Sequence, residues 1–108
     1  MNNNLSIIVP ALNEEKNITP LTKRIIKNLR KKKFEIIFVD DHSQDKSKYL
    51  LLNLSKKFKF FNPILRRKKR DLTQSCFDGI ERAKFKLSGT VFEFKIRLFL
   101  MKLRWIKE

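Results

Sequence analysis

Compact apolar runs separated by amphipathic stretches dominate the chain up to residue 86. Residues 5–9 and 34–39 are apolar almost throughout, which is typical of strands buried on both faces of a sheet. A shorter run at 60–65 predicts a third strand. Helical spacing of apolar side chains predicts a helix after each strand, the second over about 47–58 and the third over 72–83.

Local signals place the ends of these elements. Pro10 is expected to end the first strand. Thr19 can cap the first helix, and Pro20 suits its first position, where no hydrogen-bond donor is missed. The third helix is expected to bury one stripe, which consists of Leu72, Cys76, Ile80 and Ala83.

Strands that alternate with helices predict an α/β fold with parallel pairing. The expected order of elements is β-α-β-α-β-α, with a mostly parallel sheet. The pattern changes after Lys86, because residues 92–98 alternate like a half-buried strand and the remainder reads as a helix or a frayed tail. We therefore expect an irregular C-terminal tail over 87–108.

Polar and acidic residues follow the first two strands. Parallel strands place their ligand crevice beyond their carboxyl ends, so Asn13, Glu14, Asp40 and Asp41 should lie side by side there. Carboxylates can accept hydrogen bonds from the base and ribose of a nucleotide, with Pro10 and Leu12 as an apolar wall. Alternatively, Asp40 and Asp41 are solvated residues that cap the next helix. Their joint placement favours a ligand site.

Charge is the unusual part of the composition. Lys and Arg number 26 against 11 Asp and Glu, which gives a net charge of +15. This favours nucleic acid, an anionic membrane or phosphorylated ligands, although nucleotide bias in the source genome explains it equally well. The single cysteine, Cys76, excludes an internal disulfide. No signal peptide or membrane span is predicted, so we expect a cytoplasmic protein, either soluble or peripheral on the cytoplasmic face of the membrane.

Three ordered motifs resemble the opening of a family 2 glycosyltransferase. They are Ile-Val-Pro-Ala-Leu-Asn-Glu-Glu from Ile8, Glu-Ile-Ile-Phe-Val-Asp-Asp-His-Ser from Glu35, and the basic run 66–70 with the helix that follows it. The nearest subgroup is the polyprenol (dolichyl) phosphate mannosyl- or glucosyltransferases. The resemblance implies the N-terminal part of a GT-A fold, which is Rossmann-like and three-layered. It also implies a GDP- or UDP-linked sugar as donor and a polyprenyl phosphate or other acceptor.

The resemblance also implies roles for individual residues. Pro10, Leu12 and Glu14 match the loop that holds the base and ribose, and Val39 and Asp41 match the positions that meet the base. Asp40 is expected to order its loop instead. The basic run 66–70 matches the loop that approaches the sugar-diphosphate side, with Asp71 where the family usually has glycine.

Metal binding is where the chain departs from the family. Full-length members hold Mg²⁺ or Mn²⁺ with an Asp-x-Asp motif, which does not occur in this sequence. We therefore expect no catalytic residue, metal ligand or cofactor in this chain, and no sugar transfer by it alone. Residues 1–86 are interpreted as the nucleotide-sugar-binding half of the domain, and 87–108 as a divergent tail produced by a frameshift or truncation.

Two other classes of function remain open. A small basic protein that binds nucleic acid would explain the charge, but the chain has no recognisable nucleic-acid motif, which disfavours this partner. A truncated gene product without function would explain the missing motif.

Overall fold

The computed structural model describes residues 5–29 and 33–84, which form three strands and three helices. The strands are β1 (Leu5–Ala11), β2 (Phe34–Asp41) and β3 (Ile64–Arg66). The helices are α1 (Glu15–Leu29), α2 (Ser47–Lys57) and α3 (Leu72–Arg82). Their order confirms the predicted β-α-β-α-β-α alternation. The predicted tail 87–108 lies outside the described residues.

The three strands form a parallel sheet in the order β1-β2-β3. Leu5 is opposite Phe34 and Ala11 is opposite Asp40, while Asp41 is opposite Arg66. Because all strands run the same way, their carboxyl ends meet at one edge of the sheet.

Helices cover both faces of the sheet, which makes three layers. On one face, alternate residues of β1 and β2 pack against α1 and α2 around Ile18, Leu51 and Phe38. On the other face, Ile8 and Val39 lie against α3. Both strands are buried along almost their whole length, as their apolar composition predicts.

The first strand and helix do not end and begin where the local signals suggest. β1 continues through Pro10 to Ala11, so the prediction that Pro10 ends it is wrong. α1 begins at Glu15, which places Thr19 and Pro20 inside the helix. Pro20 has no N–H, so the bond that this position would donate within α1 is missing.

Distant side chains explain the early start of α1. The backbone N–H of Glu14 donates to Ser47 Oγ at 3.1 Å, and that of Glu15 donates to Asp45 Oδ2 at 3.3 Å. These acceptors satisfy amides that have no partner within the helix. The cap therefore comes from the loop after β2 and the first residue of α2, which local sequence signals cannot reveal.

The third strand is shorter than the predicted 60–65. Asn62 N–H donates to the Ile36 carbonyl at 2.8 Å, and Phe61 forms an isolated bridge with Ile36. Pro63, which has no N–H, separates this pairing from β3.

Helix α3 buries only part of the predicted stripe, namely Cys76 and Ala83. Ser75, Cys76 and Gly79 are buried, whereas Ile80 is 38% exposed. A Cβ built on Gly79 would lie 2.5 Å from Ile8 Cγ2 and 3.1 Å from Val39 Cγ2. The helix therefore approaches the sheet through its small residues, and Ile80 is turned outward.

A buried carboxylate joins the elements at the opposite edge of the sheet. Glu35, at the start of β2, is 3% exposed. It accepts hydrogen bonds from Ser6 Oγ at 2.7 Å, Asn62 Nδ2 at 3.3 Å and the Lys84 N–H at 2.5 Å. The bond to Lys84 ties the chain beyond α3 to the amino ends of the strands.

Among the described residues, no helix is both long and apolar enough to cross a bilayer.

Replacing Gly79 with alanine tests the close approach of α3. We expect G79A to lower the free energy of unfolding by about 1–2 kcal/mol, because overpacking outweighs the gain of roughly 1 kcal/mol in helix propensity. Urea unfolding followed by circular dichroism measures this change. The control is T73A at an exposed position of α3, where we expect a change within about 0.5 kcal/mol. A G79A protein as stable as the parent would contradict the packing.

Candidate nucleotide site at the carboxyl edge of the sheet

The five predicted binding residues lie at one edge of the sheet. Pro10 is opposite Val39 in the β1–β2 register, and Asp41 is the last residue of β2. Leu12 and Glu14 lie in the loop between β1 and α1, and the loop residue Asn13 between them has a positive φ of 52°. Strand alternation directs Pro10, Val39 and Asp41 to the face covered by α3. The structure therefore places all five at the same edge of the sheet.

All five of these residues are buried. Glu14 is 4% exposed, Leu12 is 2% exposed and Asp41 is fully buried. A ligand can contact their side chains only when neighbouring chain segments move aside. The edge is thus a closed site in this conformation.

Asp41 carries the main electrostatic interaction of the site. Arg66 Nη1 donates to Asp41 Oδ1, and the Asp71 N–H donates to Asp41 Oδ2 at 2.8 Å. Burying a carboxylate without a counterion is costly, and the guanidinium compensates that cost. Asp41 is therefore held by the ends of two further elements, β3 and α3.

Arg66 extends the same interaction to α3. Its Nε lies 3.1 Å from Asp78 Oδ2, and its Nη1 lies 3.3 Å from both Ser75 Oγ and the Asp71 carbonyl. The basic run 66–70 is consequently not uniform. Arg66 is buried and paired, whereas Arg67, Lys68 and Lys69 are exposed.

The sequence interpretation missed Arg66 as the counterion of Asp41. The pairing follows from the register of the sheet, because Asp41 is directly opposite Arg66 in the β2–β3 pair. Asp71, noted only as replacing a glycine, caps α3 by accepting the Gln74 N–H at 3.0 Å.

The loops that follow β1 and β2 are tied to each other. Asn13 donates through its N–H to Ser43 Oγ at 2.8 Å and accepts the Gln44 N–H at 2.9 Å through its Oδ1. With the bonds to Ser47 and Asp45 that cap α1, these contacts fix the position of Glu14. Ser43 and Ser47 are thus neighbours of the candidate site that the sequence pattern did not indicate.

Asp40 lies in β2 just before the loop that joins β2 to α2, on the face of the sheet opposite Asp41. Its Oδ2 accepts the Ser43 N–H at 3.0 Å, which agrees with the expectation that it orders the loop. Its Oδ1 has no hydrogen-bond partner in the described part of the chain. Burial raises the pKa of Asp40, and the hydrogen bonds from Ser43 oppose this only in part.

The described residues do not bring together three or more histidine, cysteine or acidic side chains that could hold a metal ion. At Asp41, the charge of the carboxylate is met by Arg66 instead. The described residues thus do not fit the Mg²⁺ or Mn²⁺ expected for full-length family members.

Comparison with known proteins gives consistent matches over this part of the chain. The model of Glycosyl transferase family 2 matches residues 6–87. Dolichol-phosphate mannosyltransferase of Saccharomyces cerevisiae is 39% identical over a match of 82 residues that covers 73% of this chain and 31% of that protein. The protein of the same name from Pyrococcus furiosus is 34% identical over 88 residues, which are 82% of this chain and 24% of that protein.

An uncharacterised protein of Methanocaldococcus jannaschii is 30% identical over 89 residues, which are 82% of this chain and 36% of that protein. The chain thus spans between 24% and 36% of the length of these three relatives.

Removing the guanidinium of Arg66 tests the role of the buried pair. We expect R66M to lower the free energy of unfolding by about 3–5 kcal/mol, because the buried charge of Asp41 loses this counterion. Chemical denaturation measures the loss. The control is R67M in the exposed part of the same run, with an expected change within about 0.5 kcal/mol. Equal stability of the two variants would exclude a structural role for the pair.

Neutralising Asp40 tests the effect of its burial. The pKa of Asp40 is raised in the folded state. At pH values between its pKa in the unfolded chain and its pKa in the folded protein, the folded protein therefore binds more protons than the unfolded chain. The free energy of unfolding then falls as pH rises and Asp40 ionises. We expect D40N to be more stable than the parent at pH 7 and to lose that advantage toward pH 4. Urea unfolding at both pH values measures the difference. A D40N protein that is less stable than the parent at pH 7 would contradict this sign.

Proposed function

Since this chain belongs to glycosyl transferase family 2, we propose that it binds the nucleoside part of a nucleotide-diphosphate sugar at the carboxyl edge of β1 and β2. The observation that carries the proposal is that two buried carboxylates lie at the same edge of the sheet, Glu14 in the loop after β1 and Asp41 at the end of β2. Ligands of open α/β sheets bind outside this edge. The donor sugar is linked to GDP or UDP.

In the proposed complex, the carboxylates of Glu14 and Asp41 accept hydrogen bonds from ribose hydroxyl and base N–H groups. Pro10, Leu12 and Val39 supply the apolar wall against the base. The Arg66 guanidinium supports this role because it sets the orientation of the Asp41 carboxylate. The braced loop after β1 supports it as well, because a fixed backbone holds Glu14 in place.

The acceptor that we propose is a polyprenyl phosphate, as the names of the two dolichol-phosphate relatives suggest. We propose that the chain works at the cytoplasmic face of the membrane that contains this lipid. The described residues do not provide a metal cluster, and the sequence contains no Asp-x-Asp motif. We therefore propose that they contribute donor binding, and that sugar transfer needs residues beyond them.

Calorimetric titration of the full chain tests donor binding. GDP-mannose, UDP-glucose and ATP are titrated separately, and we expect one of the two sugar nucleotides to bind more tightly than ATP. E14Q and D41N should each weaken that binding about tenfold or more, since a hydrogen bond to a charged group contributes roughly 1.5–3 kcal/mol.

The matched control is E81Q, which neutralises an exposed carboxylate on α3. It should bind the sugar nucleotide like the parent. Circular dichroism of each variant separates loss of binding from loss of the fold. If neither sugar nucleotide binds the folded parent at millimolar concentration, or if E14Q and D41N bind as tightly as E81Q, the proposed function is wrong.

A further inference from the structure

The loop between β3 and α3 displays a cluster of positive charge. Arg67, Lys68, Lys69 and Arg70 are consecutive; the first three are exposed and the last is half-buried. We call residues 67–70 the basic loop. In the described part of the chain, Arg66 forms ion pairs with Asp41 and Asp78, whereas the residues of the basic loop form none.

Both ends of the basic loop are fastened to one buried carboxylate. On one side Arg66 pairs with Asp41, and on the other the Asp71 N–H donates to Asp41 Oδ2 at 2.8 Å. Arg66 Nη1 also lies 3.3 Å from the Asp71 carbonyl, which closes the base of the loop. A loop held in this way loses little conformational freedom when it binds an anion.

The acidic residues nearest the basic loop in sequence are engaged elsewhere. The Asp71 carboxylate caps α3 through the Gln74 N–H, and Asp78 pairs with Arg66 Nε at 3.1 Å. Among the described residues, no ion pair therefore compensates the charge of the basic loop.

An open groove lies beside the basic loop, between β3 and α3. Its volume is about 400 Å³, and Ile64, Leu65, Arg67, Lys68 and Asp78 are among the residues that line it. Half-buried apolar side chains thus adjoin two cations. This combination suits a ligand with an anionic head and an apolar body.

We propose that the basic loop docks the protein on an anionic lipid bilayer, with lipid phosphate groups at Arg67, Lys68 and Lys69. The choice of a lipid surface over nucleic acid rests on the proposed function, because a polyprenyl phosphate acceptor lies in a membrane. Each basic residue near an anionic bilayer contributes to attraction, and the attraction is screened by salt. In the docked orientation, the carboxyl edge of the sheet, where the basic loop begins, faces the lipid.

Sedimentation with vesicles tests this proposal. The full chain is mixed in 0.15 M salt, a condition with a Debye length of about 8 Å, with vesicles of phosphatidylcholine alone or with about one third phosphatidylserine. We expect binding to the anionic vesicles. The triple variant R67Q/K68Q/K69Q should bind them between about tenfold and a hundredfold more weakly.

The control K23Q/R24Q/K27Q removes the same number of arginines and lysines from exposed positions on α1. It should retain the affinity of the parent within about threefold, a difference smaller than the effect of one interfacial basic residue. Because all six side chains are exposed, the variants should fold, and circular dichroism checks this. If either triple variant is unfolded, the charge reversals K68E and K23E replace the pair, with the same expected contrast.

Several outcomes would overturn the proposal. These are absence of binding to anionic vesicles, an equal loss in both triple variants, and tighter binding of the parent to random duplex DNA than to the vesicles at the same salt. Nucleotide binding of the parent is measured in parallel. If nucleotide binds and vesicles do not, only the docking surface is wrong; if vesicles bind and nucleotide does not, only the proposed function is wrong.

Discussion

A buried ion pair between Asp41 and Arg66 holds together the edge of the sheet at which the site lies. Asp41 is fully buried, and Arg66 is 8% exposed. Moving two charges out of water is favourable only with good geometry and further hydrogen bonds, and here Asp71, Ser75 and Asp78 provide them. The pair thus joins β2, β3 and α3, and it fixes both ends of the basic loop. The orientation of the proposed base-binding carboxylate and the display of positive charge depend on this one contact.

A second set of contacts sets the position of Glu14. The loop after β1 has little regular structure, and Asn13 adopts a positive φ. The backbone amides of Asn13 and Glu14 are held by Ser43 in the neighbouring loop and by Ser47 at the start of α2. Parallel pairing brings the two loops to the same edge, and these bonds then fix the distance between them. The geometry of the edge is therefore a property of two chain segments about thirty residues apart, as the sequence separations of these bonds show.

Sequence patterns predicted the parts of the fold that depend on local composition. The buried strands, the three helices and the parallel sheet follow from apolar runs and their spacing, and the second helix begins at Ser47 as predicted. The predictions failed where contacts between residues far apart in the sequence determine the structure. Local signals at Thr19 and Pro20 could not show that Asp45 and Ser47, which follow β2, cap α1. Similarly, the predicted stripe on α3 ignored Gly79, whose missing side chain lets Ile8 and Val39 approach. The grouping of the five site residues was predictable from topology. Their burial and the pairing of Asp41 with Arg66 were not predicted from the sequence.

Membership of glycosyl transferase family 2 and the placement of Glu14 and Asp41 at one braced edge of the sheet support the central proposal, that this edge binds a nucleotide. The most direct measurement is a titration of the ¹⁵N-labelled full chain with GDP and with UDP, followed by two-dimensional amide NMR. The predicted result is a set of saturable shifts centred on residues 10–14 and 39–42, with the amides around Glu35 at the opposite edge unchanged. Shifts confined to the basic loop or to the Glu35 edge, or no shifts with either nucleotide, would contradict the claim.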